Sequence, residues 1–219
     1  MVELIHGLSA EDVRANLEVV HARLTAAGRR PGEVQVLAAV KYLPAEELDA
    51  LVGAGITLVG ENRAQDLLTK VATHPGFTWD FIGALQSRKV QLLLPHVRYI
   101  HSVASDSALE QLGKHGNAET RVLIEVNVAR DGDKSGIAPA ELPAFMERCP
   151  VTVVGLMTMP PLANSPEDNR RHFAALRGLA EAHGLHELSM GTSQDYGVAA
   201  EEGATIIRLG SSLYRPAAA

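Results

Sequence analysis

Cysteine is nearly missing from this sequence: Cys149 is the only one among 219 residues. No internal disulfide can form, which excludes the cross-linked framework of small secreted domains. Cys149 stands before Pro150 with no basic neighbour and reads as a small apolar filler, not a reactive thiol. An excess of positive charge is also absent, with 20 Lys and Arg against 26 Asp and Glu, a net charge of -6. Domains that bind nucleic acid carry a strong basic footprint, so no nucleic-acid partner is expected. An anionic ligand has to be held by local dipoles and a few placed cations instead. No apolar run approaches the ~18 residues that suggest a membrane span. The start, Met1 to Gly7, has Glu3 and no basic run ahead of an apolar stretch, unlike a signal peptide. These absences lead to the expectation of a soluble, cytoplasmic protein with no membrane partner.

Several catalytic signatures are missing as well. The nine histidines are scattered without an HExxH pair or a Cys/His cluster, and His183 and His186 straddle Gly184, so no metal is expected. There is no Gly-x-Ser-x-Gly elbow, no Walker loop and no Gly-x-Gly-x-x-Gly after the first strand, which weighs against a nucleotide-dependent function.

What is present is a rhythm. An N-cap pattern at Ser9 and Asp12 opens a helix whose Val13, Leu17, Val20 and Leu24 recur at helical spacing, with Gly28 as its stop. Eight apolar strands follow, at residues 34–41, 57–61, 78–83, 98–102, 121–128, 151–157, 187–190 and 205–209. Between them lie helices expected at residues 44–53, 63–73, 88–94, 107–115, 141–148, 166–183 and 195–202. Strands apolar on both faces that alternate with helices imply a parallel sheet covered by helices. Eight repeats favour a closed (β/α)8 barrel over an open doubly wound sheet. The hydrophobic fraction of 46% supplies a large core, and no Gly/Ser/Pro-rich linker divides the chain, so residues 1–219 read as one domain. The tail Pro216 to Ala219 is expected to fray.

Active sites in such barrels lie at the C-terminal ends of the strands. Those ends carry Lys41, Glu61-Asn62, Gly83 to Ser87, His101-Ser102, Asn127, Met157-Thr158, Ser193 and Gly210-Ser211-Ser212, a polar and varied set that implies a pocket. Lys41 ends an apolar run. It either reaches solvent, pairs with a carboxylate, or has a depressed pKa that frees the amine to attack an aldehyde. Ser193 either caps the next helix or turns its hydroxyl to a phosphate, beside the glycine at Gly210 that allows close backbone approach. Arg208 is a permanent cation within an apolar strand, matched either by a carboxylate across the barrel or by a ligand. His101 reads as a satisfied structural histidine before it reads as a pocket residue.

Taken in order, these stretches resemble the pyridoxal-phosphate homeostasis proteins, single-domain relatives of the N-terminal barrel of alanine racemase. The resemblance runs from about Ser9 to Tyr214 and rests on Leu37 to Lys41, Gly60-Glu61-Asn62, Trp79 to Lys89, Lys134-Ser135-Gly136, Gly155-Leu156-Met157, Leu188 to Ser193 and Arg208 to Ser211. It implies a fold type III barrel that carries pyridoxal 5′-phosphate on Lys41 as a Schiff base. By the same carry-over, Ser193, Gly210 and Ser211 bind the phosphate, Arg208 faces the pyridine nitrogen and Asn62 borders the ring. The chain departs from the family pattern at Asp80, where His is usual, and at Arg88, where Asn is usual. Thr192 and Ser211 also replace the commoner Met and Thr.

The resemblance also implies a function. A guanidinium donates and cannot accept, so Arg208 against the pyridine nitrogen keeps that nitrogen unprotonated and the ring a poor electron sink. Racemisation needs an acid/base on each face of the substrate. Lys41 offers one, and with the chain stopping eleven residues after Arg208 no second domain is expected to bring another. The expected role is therefore a non-catalytic carrier and buffer of the cofactor in vitamin B6 balance. Its partners would be the cofactor and apo-enzymes that receive it, and its state a monomer or weak dimer. A pyridoxal-phosphate-dependent amino-acid racemase and a Schiff-base aldolase acting through Lys41 remain as alternatives.

Overall fold

The computed structural model describes residues 4–216. Met1 to Glu3, and most of the tail expected to fray, lie outside the described residues. Helix α1 (Ala10–Ala26) is capped by Ser9, whose hydroxyl accepts from the Asp12 N–H at 3.3 Å. Strands β1 (Gln35–Ala39), β2 (Leu58–Glu61), β3 (Thr78–Phe81), β4 (Tyr99–Val103), β5 (Arg121–Glu125), β6 (Thr152–Met157), β7 (Glu187–Thr192) and β8 (Ile206–Leu209) all run parallel. They pair in sequence order and close where β8 meets β1, with Leu37 opposite Arg208. The closed barrel expected from eight repeats is present.

The connecting helices are α2 (Leu48–Gly53), α3 (Ala64–Thr73), α4 (Val90–Leu93), α5 (Asp106–His115), α6 (Leu142–Glu147), α7 (Arg170–Ala182) and α8 (Tyr196–Glu201). A last turn, α9 (Ser211–Tyr214), directly follows β8 and was not foreseen, because its Gly-Ser-Ser start looks like a loop. Several connectors are shorter than their hydrophobic pattern suggested. The segment after Pro44 begins as a 3-10 turn at Ala45–Glu47, and Ser87–Lys89 does the same before α4. Strand β5 ends at Glu125, three residues early, since Gly136 returns against the Val126–Asn127 backbone and the chain turns there. Strand β7 runs on to Thr192, beyond the expected Met190.

Period-two alternation divides each strand between two environments. On β1, Ala38 joins the main core between barrel and helices, whereas Leu37 packs inside the barrel with Leu58 and Ile206. The expectation of strands apolar on both faces holds outside the barrel and only in part inside it. Asp80, His101, Ser189, Glu125 and Arg208 are all buried, each on a strand. Outside, Asn16 of α1 donates its side-chain amide to the carbonyls of Leu213 and Arg215 at 3.1 and 2.7 Å, tying the first helix to the last turn.

At Gly155 the β6 backbone passes so close to β7 that an added Cβ would lie 1.9 Å from the Glu187 carbonyl oxygen. Gly155→Ala should therefore lower unfolding free energy by roughly 1–3 kcal/mol, the usual cost of overpacking a rigid interior. Urea denaturation checks this, and a neutral result would mean that β6 and β7 are less closely apposed.

Candidate functional site

A cavity of about 610 Å³ opens at the C-terminal ends of the strands, within the range of small-molecule sites. Lys41, Asn62, Ser193, Arg208, Gly210 and Ser211, the residues singled out from the sequence, all line it. A more open groove of about 860 Å³ lies between the Pro161–Asn164 loop and α7. Its Arg170 is already paired with Glu167, Glu201 and Glu202, the last two at 2.5 and 2.8 Å.

Lys41 follows β1 by two residues, is exposed, and holds Nζ 4.6 Å from the centroid of the Tyr42 ring. Of the expected surroundings, solvent access is found, and an ion pair is not found among the described residues. The buried lysine is a different one. Lys70, on α3, donates to Glu61 Oε2 at 2.5 Å and to the Val40 carbonyl at 2.7 Å. Tyr214 donates its hydroxyl to the Ala39 carbonyl at 3.2 Å. These two bonds hold the backbone on which Lys41 is mounted. Lys70 was missed because it falls one helical turn after Leu67, where a lysine reads as a snorkelling surface residue.

Ser193 does not cap α8. Asp195 takes the N-cap position, and its Oδ1 accepts from the Thr192 N–H and hydroxyl at 2.7 and 3.1 Å. Ser193 instead reaches across to the end of β8. Its Oγ receives the N–H groups of Gly210 and Ser212 at 3.3 and 3.2 Å and lies 2.9 Å from the Ser212 hydroxyl. Two backbone N–H groups and two hydroxyls thus share one small cup.

Arg208 is buried inside the barrel, but no carboxylate among the described residues touches it, contrary to the ion pair weighed from sequence. Nη1 donates to the Ser189 carbonyl and hydroxyl at 2.7 and 2.5 Å. Nη2 donates to the Thr158 carbonyl at 2.9 Å and contacts the Met159 sulfur at 3.3 Å. Nε–H has no partner among the described residues. Burial lowers its pKa to about 10, with Glu125 and Asp195 opposing, so the group stays charged at neutral pH. Asn62 presents a second unmet group, since its Oδ1 is buried and accepts no hydrogen bond. Asn62 is held in place by Gly83, where a Cβ would meet the Asn62 carbonyl oxygen at 2.0 Å.

Two departures from the family pattern occupy different places. Arg88 is exposed and turns to Gln86. Asp80 is wholly buried in the barrel interior and does not line the cavity. His101 is likewise buried and satisfied, as expected. Cys149 is half-buried, and burial raises its thiol above the ordinary range, consistent with an inert filler.

Glu125 is a buried cavity residue that sequence reasoning overlooked. It ends β5, is 5% exposed, and accepts the Ser135 hydroxyl at 2.5 Å. Its signal was a charged residue closing an apolar run, the same signal that marked Lys41. A phosphorylated pyridine aldehyde fits this donor set. The amine of Lys41, the unpartnered Arg208 N–H, the unmet Asn62 oxygen and the serine cup match its aldehyde, ring nitrogen, phenol and phosphate in kind.

Burial raises the Glu125 carboxyl above 4.5, with Ser135 and Arg208 opposing only in part. The native state holds this proton more tightly than the unfolded chain, so Glu125 costs stability as pH rises past its ordinary value. Glu125→Gln should raise the urea midpoint at about pH 7 and leave it nearly unchanged at about pH 4. Equal shifts at both would contradict the raised pKa.

Comparison with known proteins places this geometry. The family model described as alanine racemase, N-terminal domain, matches residues 9–217. The pyridoxal phosphate homeostasis protein of Aquifex aeolicus is 38% identical over 213 residues, covering 90% of this chain and 93% of that protein. The protein of the same name from Escherichia coli K12 is 31% identical, covering 93% and 96%. PipY of Synechococcus elongatus, solved with pyridoxal phosphate bound, superposes with a TM-score of 0.78 at 30% identity, covering 93% of this chain and 100% of its own. The lysine/ornithine decarboxylase of Vibrio vulnificus shares the fold alone, with a TM-score of 0.70 at 14% identity, over 94% of this chain and 62% of its own.

Proposed function

The chain belongs to the pyridoxal phosphate homeostasis protein family, built on the barrel of the alanine racemase N-terminal domain, and from that premise we propose that it binds pyridoxal 5′-phosphate at the barrel mouth as a carrier and buffer, not as an enzyme. The observation that carries this reading is the meeting, in one cavity, of an accessible lysine amine, an unpartnered arginine N–H and a hydroxyl-and-amide cup. When bound, the cofactor supplies an aldehyde that condenses with an amine and a pyridine ring that can withdraw electrons.

In this reading Lys41 provides the amine, and Lys70 and Tyr214 fix the carbonyls on the two residues before it. Ser193, Gly210 and Ser211 hold the phosphate with hydroxyl and backbone donors, which gain strength from the anion's charge. Asn62 presents its free oxygen to the ring's hydroxyl. Arg208 directs Nε–H to the ring nitrogen. Because that group stays charged at neutral pH, the nitrogen it faces must accept, and electron withdrawal is weakened. This favours storage over amino-acid chemistry. Among the described residues no helix is long and apolar enough to cross a membrane. A cytoplasmic carrier that hands its cofactor to apo-enzymes suits these features.

One observation favours a second reading. Glu125 lies in the same cavity as Lys41, on β5, four strands away around an eight-stranded barrel and hence on the opposite wall. The barrel therefore contains a second candidate acid/base, and a slow racemase could be built from it without another domain. The aldolase alternative has no such support, since the curated relatives are named for pyridoxal phosphate.

Three measurements decide between these. Borohydride reduction followed by peptide mass spectrometry should place the pyridoxyl group on Lys41, and its appearance on Lys89 or Lys134 would refute the assignment. Pyridoxal lacking phosphate should bind far more weakly than the phosphate ester, and Ser193→Ala combined with Ser211→Ala should narrow the gap. Equal affinity in the unmodified protein would remove the cup. Finally, the loaded protein should transfer cofactor to an apo-enzyme while turning over common amino acids negligibly. A general acid or base is worth ~10²–10⁴-fold, so robust turnover lost in both Lys41→Ala and Glu125→Gln would establish the racemase.

A further inference from the structure

Inside the barrel, Arg208 is the end of a continuous chain of hydrogen bonds that crosses from β8 to β3. Arg208 Nη1 donates to Ser189 Oγ at 2.5 Å, and that oxygen lies 2.8 Å from His101 Nδ1. His101 Nε2 lies 3.0 Å from Asp80 Oδ2. Asp80 is then saturated from the far side. Arg98 grips it with two donors, Nε at 3.0 Å to Oδ1 and Nη2 at 2.5 Å to Oδ2, and the Tyr99 N–H adds a third at 3.2 Å. Arg98 is itself held by Gln35 at 2.6 Å.

Counting protons along this chain fixes its direction. Arg208 can only donate, so Ser189 Oγ accepts from it. The hydroxyl's single proton then points to His101 Nδ1, which must be bare. The ring's one remaining proton lies on Nε2 and points to Asp80, an ionised carboxylate that only accepts. Every member is satisfied with His101 neutral, and burial, outweighing the pull of Asp80, holds its pKa below the ordinary value. Reversing the tautomer would aim Nδ1–H and Arg208 at the same serine oxygen and strand the hydroxyl proton.

We propose that Asp80 is a positioning residue for the cofactor site: through His101 and Ser189 it sets the orientation of the Arg208 guanidinium and so of the Nε–H left for a ligand. A buried polar chain of this kind is costly unless every member is paired. Barrel interiors are ordinarily filled by bulky branched side chains, so conformational definition of Arg208 is what the chain provides. The proposal rests on Arg208 as a ligand contact, but its first test does not use the ligand.

Nitrogen NMR of ¹⁵N-histidine-labelled protein without cofactor should show His101 protonated on Nε2 and bare on Nδ1. The opposite tautomer in the unmodified protein would overturn the relay while leaving cofactor binding untouched. Two variants then cut it. Asp80→Asn removes the acceptor charge at the far end, and Ser189→Ala removes the link to Arg208. Each should weaken pyridoxal phosphate binding by about tenfold, the equivalent of one hydrogen bond to a charged group. The double variant should be no weaker than Ser189→Ala alone, because both act through one path. Ser189→Ala should keep His101 in its Nε2–H form. Independent, multiplying losses in the double variant would show that Asp80 supports the barrel in general and does not act through Ser189. If Asp80→Asn does not fold, the tautomer and the Ser189→Ala result still decide. Absence of binding by the unmodified protein would defeat the functional reading instead, with the tautomer result standing apart from it.

Discussion

A guanidinium keeps its proton, so placing one inside a barrel obliges the surrounding strands to supply acceptors. Arg208 is 7% exposed, and its contacts organise much of what the interior contains. The carbonyls of Thr158 and Ser189 and the Ser189 hydroxyl answer it directly. His101 answers Ser189, Asp80 answers His101, and Arg98 answers Asp80. One buried cation on β8 thereby accounts for polar residues on β3, β4 and β7, where branched apolar layers would otherwise sit.

The mouth of the barrel follows a different logic. There two groups are left unmet among the described residues, Arg208 Nε–H and Asn62 Oδ1, beside the cup in which Ser193 receives the Gly210 and Ser212 N–H groups. Satisfied below and open above is the arrangement that holds a charged side chain still while offering one edge to a ligand. Lys41 is treated similarly, with its backbone gripped by Lys70 and Tyr214 and its amine accessible.

The sequence made the barrel legible because outward strand positions such as Ala38 and Val40 are apolar and regularly spaced between helices. The rim was legible too, since a polar residue ending an apolar run stands out, and Lys41, Asn62, Ser193 and Gly210 were found that way. The interior network was not. Asp80, His101 and Ser189 are single polar letters within strands, and nothing in a linear pattern says that residues 80, 101 and 189 converge. For Arg208 the sequence allowed a carboxylate or a ligand as partner, whereas the groups that meet it are backbone carbonyls, which no sequence displays, and the Ser189 hydroxyl. For Ser193 the sequence left helix capping and phosphate contact equally open, and it is Asp195 that stands at the N-cap position of α8. Glu125 passed unnoticed because the strand was expected to run past it to Val128, which would have buried it in mid-strand instead of placing it at the rim.

In the proposed reading Arg208 is the point where fold and function meet, and the protonation of the ring nitrogen it is proposed to face is the most direct test of the account. The measurement is nitrogen NMR of the protein loaded with pyridoxal phosphate labelled with ¹⁵N in the pyridine ring. The account predicts the resonance of an unprotonated, hydrogen-bonded pyridine throughout the neutral pH range. A pyridinium resonance there would contradict it, since two donors cannot face each other across one hydrogen bond.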